Sequence, residues 1–219
     1  MQNNDLKMRT LEGNNLPPLL SEIPDRPKKL YIIGELPKDG FFLAVVGSRR
    51  PTSYGKQACE KIIEGLKGFP ITIVSGLALG LDTIAHESAL MAGLKTIAIP
   101  GSGLGENILY PSANRNLAKR ILNAGGALVS EFEPDFKPTL WSFPKRNRIM
   151  AGMSHAVLLI EATLKSGTLI TARLAGDYNR DVLAVPGSIF SENSTGTNFF
   201  LRLGATPIRN SADVLDHFG

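Results

Sequence analysis

The chain has 219 residues, 43% of them hydrophobic, enough for a proper core in one large domain. A formal net charge of +4 admits a polyanionic partner without demanding one, and the single cysteine, Cys59, excludes an internal disulfide and suits a reducing cytoplasm. The longest apolar runs, such as AVLLI, are too short to span a bilayer, and the opening residues carry no signal-peptide pattern.

Residues 1–40 form a lead-in, rich in proline and polar groups in NNLPPLLSEIPDRPKK (14–29). Roughly the first fifteen residues are expected to be loose, with the rest packed against the domain that follows. From residue 41 strand-like and helix-like runs alternate. FFLAVVGS (41–48) is an apolar strand leading to a helix over 55–68. ITIVSG (71–76) precedes LDTIAHESALMAG, a helical pattern for which Gly93 is a plausible C′ glycine. KTIAIPG (95–101) leads through a glycine-rich loop to ANRNLAKRILNAGG. ALVSE (127–131), AVLLIEA (156–162) and DVLAVPG (181–187) continue the series. ATPIR (205–209) reads as an edge strand and SADVLDHFG as a terminal helix capped by Ser211.

Strands that are apolar throughout, rather than alternating, have both sheet faces covered. Repeated βα units of this kind predict an α/β fold: a doubly wound, mostly parallel, Rossmann-like sheet with helices on both faces, over residues 41–219. Ligands of such sheets collect at the carboxyl ends of the strands. Those ends carry Gly47, Ser48, Arg49 and Arg50, then Ser75 and Gly76, then GSGLG (101–105), and later Lys165, Ser166, Gly167 and Thr168. Small residues let a ligand approach the backbone, helix N-termini favour anions, and the cations add full charges. The pattern predicts a phosphate-binding rim. Neither GxGxxG at the first strand nor GxxxxGK[ST] occurs, which counts against dinucleotide and ATP sites.

WSFPKRNR (141–148) sets two rings and three cations around Pro144, a residue suited to a first helical turn. Lys145, Arg146 and Arg148 then face the positive end of the helix dipole, an arrangement that a nearby anion would relieve. Glu131, Glu133 and Asp135 are one candidate for that anion, and a bound polyphosphate chain is the other. Trp141 and Phe143 favour the second, because bases stack on aromatic faces while phosphates sit on neighbouring cations. Single-stranded nucleic acid is the expected ligand.

Several ordered motifs resemble the DprA/Smf family of DNA-processing proteins: VVGSRRPTSYG, VSGLALGLDTIAHESAL, TIAIPGSGL, YPSANRNL, SEFEPDFKP, FPKRNRIMAGMS, IEATLKSGTLITARLA and GTNFFLRLGA. The resemblance runs from about Leu19 to the C-terminus. It implies an extended Rossmann domain that binds single-stranded DNA, forms homodimers and helps load RecA onto incoming strands in natural transformation. It implies no catalytic activity, cofactor or metal, and no membrane partner. Carried over by motif, Gly47, Ser48 and Arg49 grip phosphate, Phe143, Arg146, Asn147 and Arg148 line the strand path, and Ser166, Gly167 and Thr168 sit at a helix N-terminus with Lys165 beside them. Many members also carry a sterile-alpha-motif-like domain in front and a winged-helix domain behind; neither is expected here.

The remaining titratable groups read as structural. Asp82 and His86 share a helix face without a nucleophile or metal set around them. Glu131 and Glu161, at strand ends, are expected to pair with the rim's cations, and Cys59 to fill apolar space. The competing reading is an enzyme of the nucleoside-monophosphate phosphoribohydrolase type, or a small-nucleotide sensor. The first requires a PGGxGTxxE motif, where this chain has KSGTLITA without the paired glycines or the glutamate.

Overall fold

The computed structural model describes residues 7–218. Nine strands form one sheet in the order β1-β2-β6-β5-β4-β3-β7-β8-β9. The strands are β1 (Arg9–Glu12), β2 (Lys29–Gly34), β3 (Phe41–Val46), β4 (Ile71–Ser75), β5 (Lys95–Ala98), β6 (Ala127–Ser130), β7 (Ala156–Leu159), β8 (Asp181–Ala184) and β9 (Thr206–Pro207). The helices are α1 (Pro18–Ser21), α2 (Ser53–Glu64), α3 (Leu81–Ala92), α4 (Arg115–Asn123), α5 (Ser142–Gly152), α6 (Thr168–Asp177), α7 (Thr195–Arg202) and α8 (Ser211–Phe218). Strands β3 to β9 are mutually parallel, and only β1 and β2 run antiparallel to their neighbours.

The doubly wound architecture follows from β3, whose side chains alternate between the two faces. Ala44 and Val46 pack in a cluster with Ile149 and Met150 of α5 and Leu169 and Ala172 of α6. Leu43 and Val45 face the opposite cluster, with Cys59 and Ile62 of α2, Ala85 and Ala89 of α3, and Val214 of α8. Burial pushes the Cys59 thiol well above its ordinary pKa, consistent with an apolar filler. The chain winds outward from β3 through β4, β5 and β6, then returns to place β7 on the other side of β3. The crevice at the carboxyl ends of β3 and β7 is therefore the switch point where ligands of such sheets bind. Among the described residues no helix is long and apolar enough to cross a membrane.

Two expectations change. The lead-in is not a loose segment laid on the domain: from Arg9 it supplies strands, β2 pairing with β6 at Tyr31 and Ser130 and β1 pairing with β2. Its proline-rich middle is the connection between them, which includes α1 and packs on the domain as expected, with Leu16, Leu20 and Ile23 buried in the core. Residues 1–6 lie outside the described part. The cap of α8 is Asn210, not Ser211, since the Asn210 Oδ1 accepts from the N–H groups of Ala212 (2.8 Å) and Asp213 (3.3 Å). Gly93 does end α3 in the left-handed conformation, at φ 73°.

Candidate nucleic-acid interface

A cavity of about 440 Å³ opens at the switch point. The β3–α2 loop lines one wall with Gly47, Ser48 and Arg49, the start of α5 another with Phe143, Arg146 and Asn147, and the α6 N-terminus a third with Ser166, Gly167 and Thr168. Eleven of the residues singled out from the sequence thus divide into nine at this cavity and two, Arg50 and Gly76, at a neighbouring one of about 240 Å³, which Arg49, Tyr110 and Phe143 also line. Phe143 and Arg49 border both spaces and stand between them.

Each wall is fixed by local chemistry. A Cβ on Gly47 would run into Leu81, so only glycine lets α3 approach the loop. The Ser48 N–H donates to the Glu161 carbonyl (2.9 Å), and the Ser48 hydroxyl accepts from the Arg50 N–H (3.1 Å). The Thr168 hydroxyl donates to the Gly47 carbonyl (3.1 Å), joining the α6 N-terminus to the same loop. Arg49 and Arg50 are exposed and make no ion pair among the described residues. The Arg49 guanidinium instead lies 5.2 Å from the Phe143 ring centroid, within cation–π range. The exposed ring of Tyr110 stands 5.8 Å from that of Phe143.

Beneath this surface Arg146 acts as a buried strut. Its guanidinium donates to the carbonyls of Gly76 and Ile99 and, through Nε, to the Asn147 Oδ1 (3.1 Å). Burial lowers its pKa to about 10, against the opposing pull of Asp82. Asp82 accepts from the N–H groups of Gly76 (3.1 Å) and Ala78 (3.3 Å). Burial raises its pKa, and Arg146 and those amides oppose the rise. The turn so held contains Leu77 at φ 61°, a strained value for a leucine. Asn114 secures it from the far side by donating to the Leu77 carbonyl (2.8 Å). Asp82 has the structural role expected of it, and Asn114 is the organising residue that sequence reasoning missed. The Asp-to-amide spacing of four residues, in SGLALGLD, was the available signal for the turn they hold.

The other predicted residues lie elsewhere. Ser75 is fully buried and donates to the Val45 carbonyl (2.7 Å), so its hydroxyl never reaches the rim. Arg148 is paired with Glu131, and Lys145 lies 3.7 Å from the same carboxylate. Burial raises the Glu131 pKa, opposed first by Arg148 and then by Lys145. The acidic segment is thus the counter-ion for these two cations, while Arg146 answers to backbone carbonyls and Asp82. Trp141 packs edge-on against Phe132 (5.7 Å) and Phe136 (5.5 Å), a cluster outside the cavity, although its ring is exposed. Lys165 is exposed on the loop before α6.

Glu161 does not meet a rim cation. Its carboxylate accepts from the N–H (2.9 Å) and hydroxyl (2.5 Å) of Thr52, the residue that caps α2. His86 is likewise structural: its Nδ1 shares a 2.7 Å hydrogen bond with the Thr96 hydroxyl, and burial lowers its pKa to about 3.

Residues 7–219 match the family model described as DNA recombination-mediator protein A. The chain is 42% identical over 202 residues to Protein Smf of Escherichia coli, covering 92% of this chain and 54% of that protein. It spans, therefore, about half the length of that relative. Among solved structures, DNA processing protein A from Streptococcus pneumoniae superposes with a TM-score of 0.88 at 39% identity, over 96% of this chain and 74% of that one. The protein of the same name from Helicobacter pylori, whose single-stranded DNA binding mode was the subject of its structure, gives 0.86 at 35% identity, over 98% and 96%.

Proposed function

The chain belongs to the DNA recombination-mediator protein A family, and on that premise we propose that its switch-point rim holds single-stranded DNA as a non-catalytic grip. The observation that carries this reading is the pairing of exposed Arg49 with the half-buried Phe143 ring at 5.2 Å, between two cavities at the strand ends. A cation beside an aromatic face is what a strand needs, a phosphate on one and a base on the other. Arg50, Lys145 and Lys165 extend the positive surface. Sequence preference is expected to be weak, because phosphate and ring contacts carry little code.

In this reading the bound strand is protected and presented to a RecA-type recombinase in the cytoplasm, and a homodimer doubles the track and gains avidity. The likeness to the Helicobacter pylori protein supports the ligand class, and the family description supports the recombination role.

The test is fluorescence anisotropy with labelled oligo-dT, oligo-dA and duplex DNA over a salt series, with AMP and ATP as competitors. Single-strand binding that falls steeply with salt and ignores mononucleotides is the expected result. Arg49→Glu should abolish most of it while Lys7→Glu, far from the rim, changes little. Equal losses at both positions would remove the rim as the site. Saturable mononucleotide competition or turnover would favour the enzyme or sensor instead.

A further inference from the structure

The β8–α7 loop presents Ile189 and Phe190 at the tip of a tight turn, 82% and 92% exposed. The Ser191 N–H donates to the Ser188 carbonyl (3.1 Å) and the Phe190 N–H to the Ser188 hydroxyl (3.2 Å), which defines the turn. Single exposed apolar residues are common on soluble proteins, but two large ones side by side at a loop tip forgo burial that folding would otherwise favour.

The root of this loop is rigid. Asn198 brackets Gly187 with two hydrogen bonds, accepting from its N–H (3.2 Å) and donating to its carbonyl (3.0 Å). The Tyr54 hydroxyl donates to the Pro186 carbonyl (2.6 Å), and the Ala162 N–H to the Asn193 carbonyl (2.7 Å). The tip is held out from a fixed base rather than left to collapse on the surface.

Beside it lies a third cavity, about 460 Å³, lined by Thr52, Tyr54, Glu161, Ser188, Ser191 and Ser194. The same β3–α2 loop that carries Gly47 to Arg49 along the first cavity carries Thr52 along this one, with Arg50 between them and Tyr54 following in the first turn of α2. The Asn193 side chain reaches the Arg50 carbonyl (3.4 Å), so the aromatic turn and the arginine loop adjoin. The hydroxyls of Thr52, Ser188, Ser191 and Ser194 dot walls whose exposed surface is mostly apolar, and the Glu161 carboxylate that also lines it repels phosphate. The space suits a base or sugar, with the backbone passing outside beside Arg50.

From this arrangement we infer that the Phe190 turn and the hydroxyl-lined cavity form a second nucleotide subsite, in which Phe190 stacks a base of the strand whose neighbouring phosphates lie on Arg49 and Arg50. The inference rests on the single-strand reading of the rim and extends its path across the β3–α2 loop. It commits Phe190 to nucleic acid rather than to a second copy of the chain, because the turn is tied to the arginine loop through Asn193 and the Arg50 carbonyl, beside the exposed cations of Arg49 and Arg50.

The experiment compares the parent chain, Phe190→Ala and Arg49→Glu for binding a labelled oligo-dT of about twenty nucleotides, longer than the span of a single fold of this size. Phe190→Ala is expected to weaken binding roughly five- to a hundredfold, and the emission that Phe190→Trp adds over the parent should be quenched by the oligonucleotide. Phe190 is exposed, so unchanged thermal melting of both variants is the expected control. Parental affinity in Phe190→Ala and no quenching, with Arg49→Glu still defective, would overturn the second subsite and leave the rim intact. A change in sedimented mass without a change in DNA affinity would also overturn it, assigning the turn to a protein interface. No binding by the parent chain would overturn the rim reading and this inference together.

Discussion

The guanidinium of Arg49 lies 5.2 Å from the centroid of the Phe143 ring, although the two residues are brought together from the β3–α2 loop and the first turn of α5. Neither residue could be placed against the other by local sequence rules. The contact exists because Arg146, three residues after Phe143, anchors α5 to the carbonyls of Gly76 and Ile99 at the ends of two inner strands.

Charge and stacking should separate in a salt series. Each phosphate contact contributes about −0.7 to the slope of log K against log salt for single strands. Arg49→Gln is therefore expected to flatten the slope by roughly that amount, whereas Phe143→Leu lowers affinity by about 1–3 kcal/mol at every salt concentration with the slope unchanged. Anisotropy titrations between low and moderate salt read both. Parallel lines for Arg49→Gln and the parent would mean that Arg49 touches no phosphate.

The buried strut predicts a stability cost that the surface cations do not share. Asp82 and Arg146 are buried opposite charges joined through the Gly76–Ala78 turn rather than in direct contact, and a buried polar group left without its partner costs about 1–3 kcal/mol. Asp82→Ala strands Arg146 and releases the Gly76 and Ala78 amides, so its melting temperature should fall sharply. Arg49→Gln, exposed and without an ion pair among the described residues, should melt with the parent. Equal melting of Asp82→Ala and the parent would show that the Gly76–Ala78 turn is held by other groups.

Arg148 gives the complementary case. It is 11% exposed and paired with Glu131, so Arg148→Met should destabilise the fold by a few kcal/mol, tempered because Lys145 remains near the carboxylate. The salt slope of DNA binding should not change in the fraction that stays folded. A flattened slope with unchanged melting would return Arg148 to the DNA track.

Much of the architecture was legible in the sequence because it is written in short-range patterns. Apolar runs mark the inner strands, most of them leading into glycine or serine, and Gly93 marks the end of α3 by the conformation it adopts. The lead-in was not legible. Tyr31 and Ile33 belong to β2, whose pairing partner β6 lies about a hundred residues away, Leu11 belongs to β1, which pairs only with β2, and proline-rich flanks conceal both strands. The rim divided similarly. Gly47, Arg49 and the Ser166–Thr168 turn follow from lying at strand ends. The difference between Arg146, Arg148 and Lys145 does not, because three cations in one helical turn point in different directions and only tertiary neighbours decide which is buried against backbone carbonyls and which are paired with Glu131. Glu161 was misjudged for the same reason, since its partner is a backbone amide and a hydroxyl of Thr52 rather than a cation.

His86 predicts a pH dependence of stability. Its folded pKa, about 3, lies below the ordinary value of 6.5 because burial disfavours the charged ring and Arg146 adds repulsion. A depressed folded pKa means that the unfolded chain binds the proton more readily. The contribution is present above pH 6.5 and is lost as the pH falls from there toward 3. Over that window the free energy of unfolding should decline by up to about 1.4 kcal/mol per pH unit from this residue. Denaturant titrations of the parent and His86→Asn at a series of pH values test it. The variant, less stable near pH 7, should show a shallower acid slope, and identical slopes would assign the acid sensitivity to other groups.

Gly101 offers a way to move the Phe143 ring without altering either rim side chain. A Cβ built on Gly101 comes within 2.5 Å of the ring Cδ1 and 2.8 Å of Cε1, closer than packed carbon atoms tolerate. The ring is only half-buried and borders open cavities on both sides, so it can swing away while the β5 backbone stays in place. Gly101→Ala should therefore lower single-strand affinity by about as much as the loss of one stacked base, roughly 1–3 kcal/mol, with little change in melting temperature. The decisive comparison is the double variant. If the alanine acts only through the ring, Gly101→Ala with Phe143→Ala binds like Phe143→Ala alone, a coupling energy equal to the full single-site loss. Additive losses would mean instead that Gly101 contacts the strand through its own backbone and that Phe143 is not the side chain it positions.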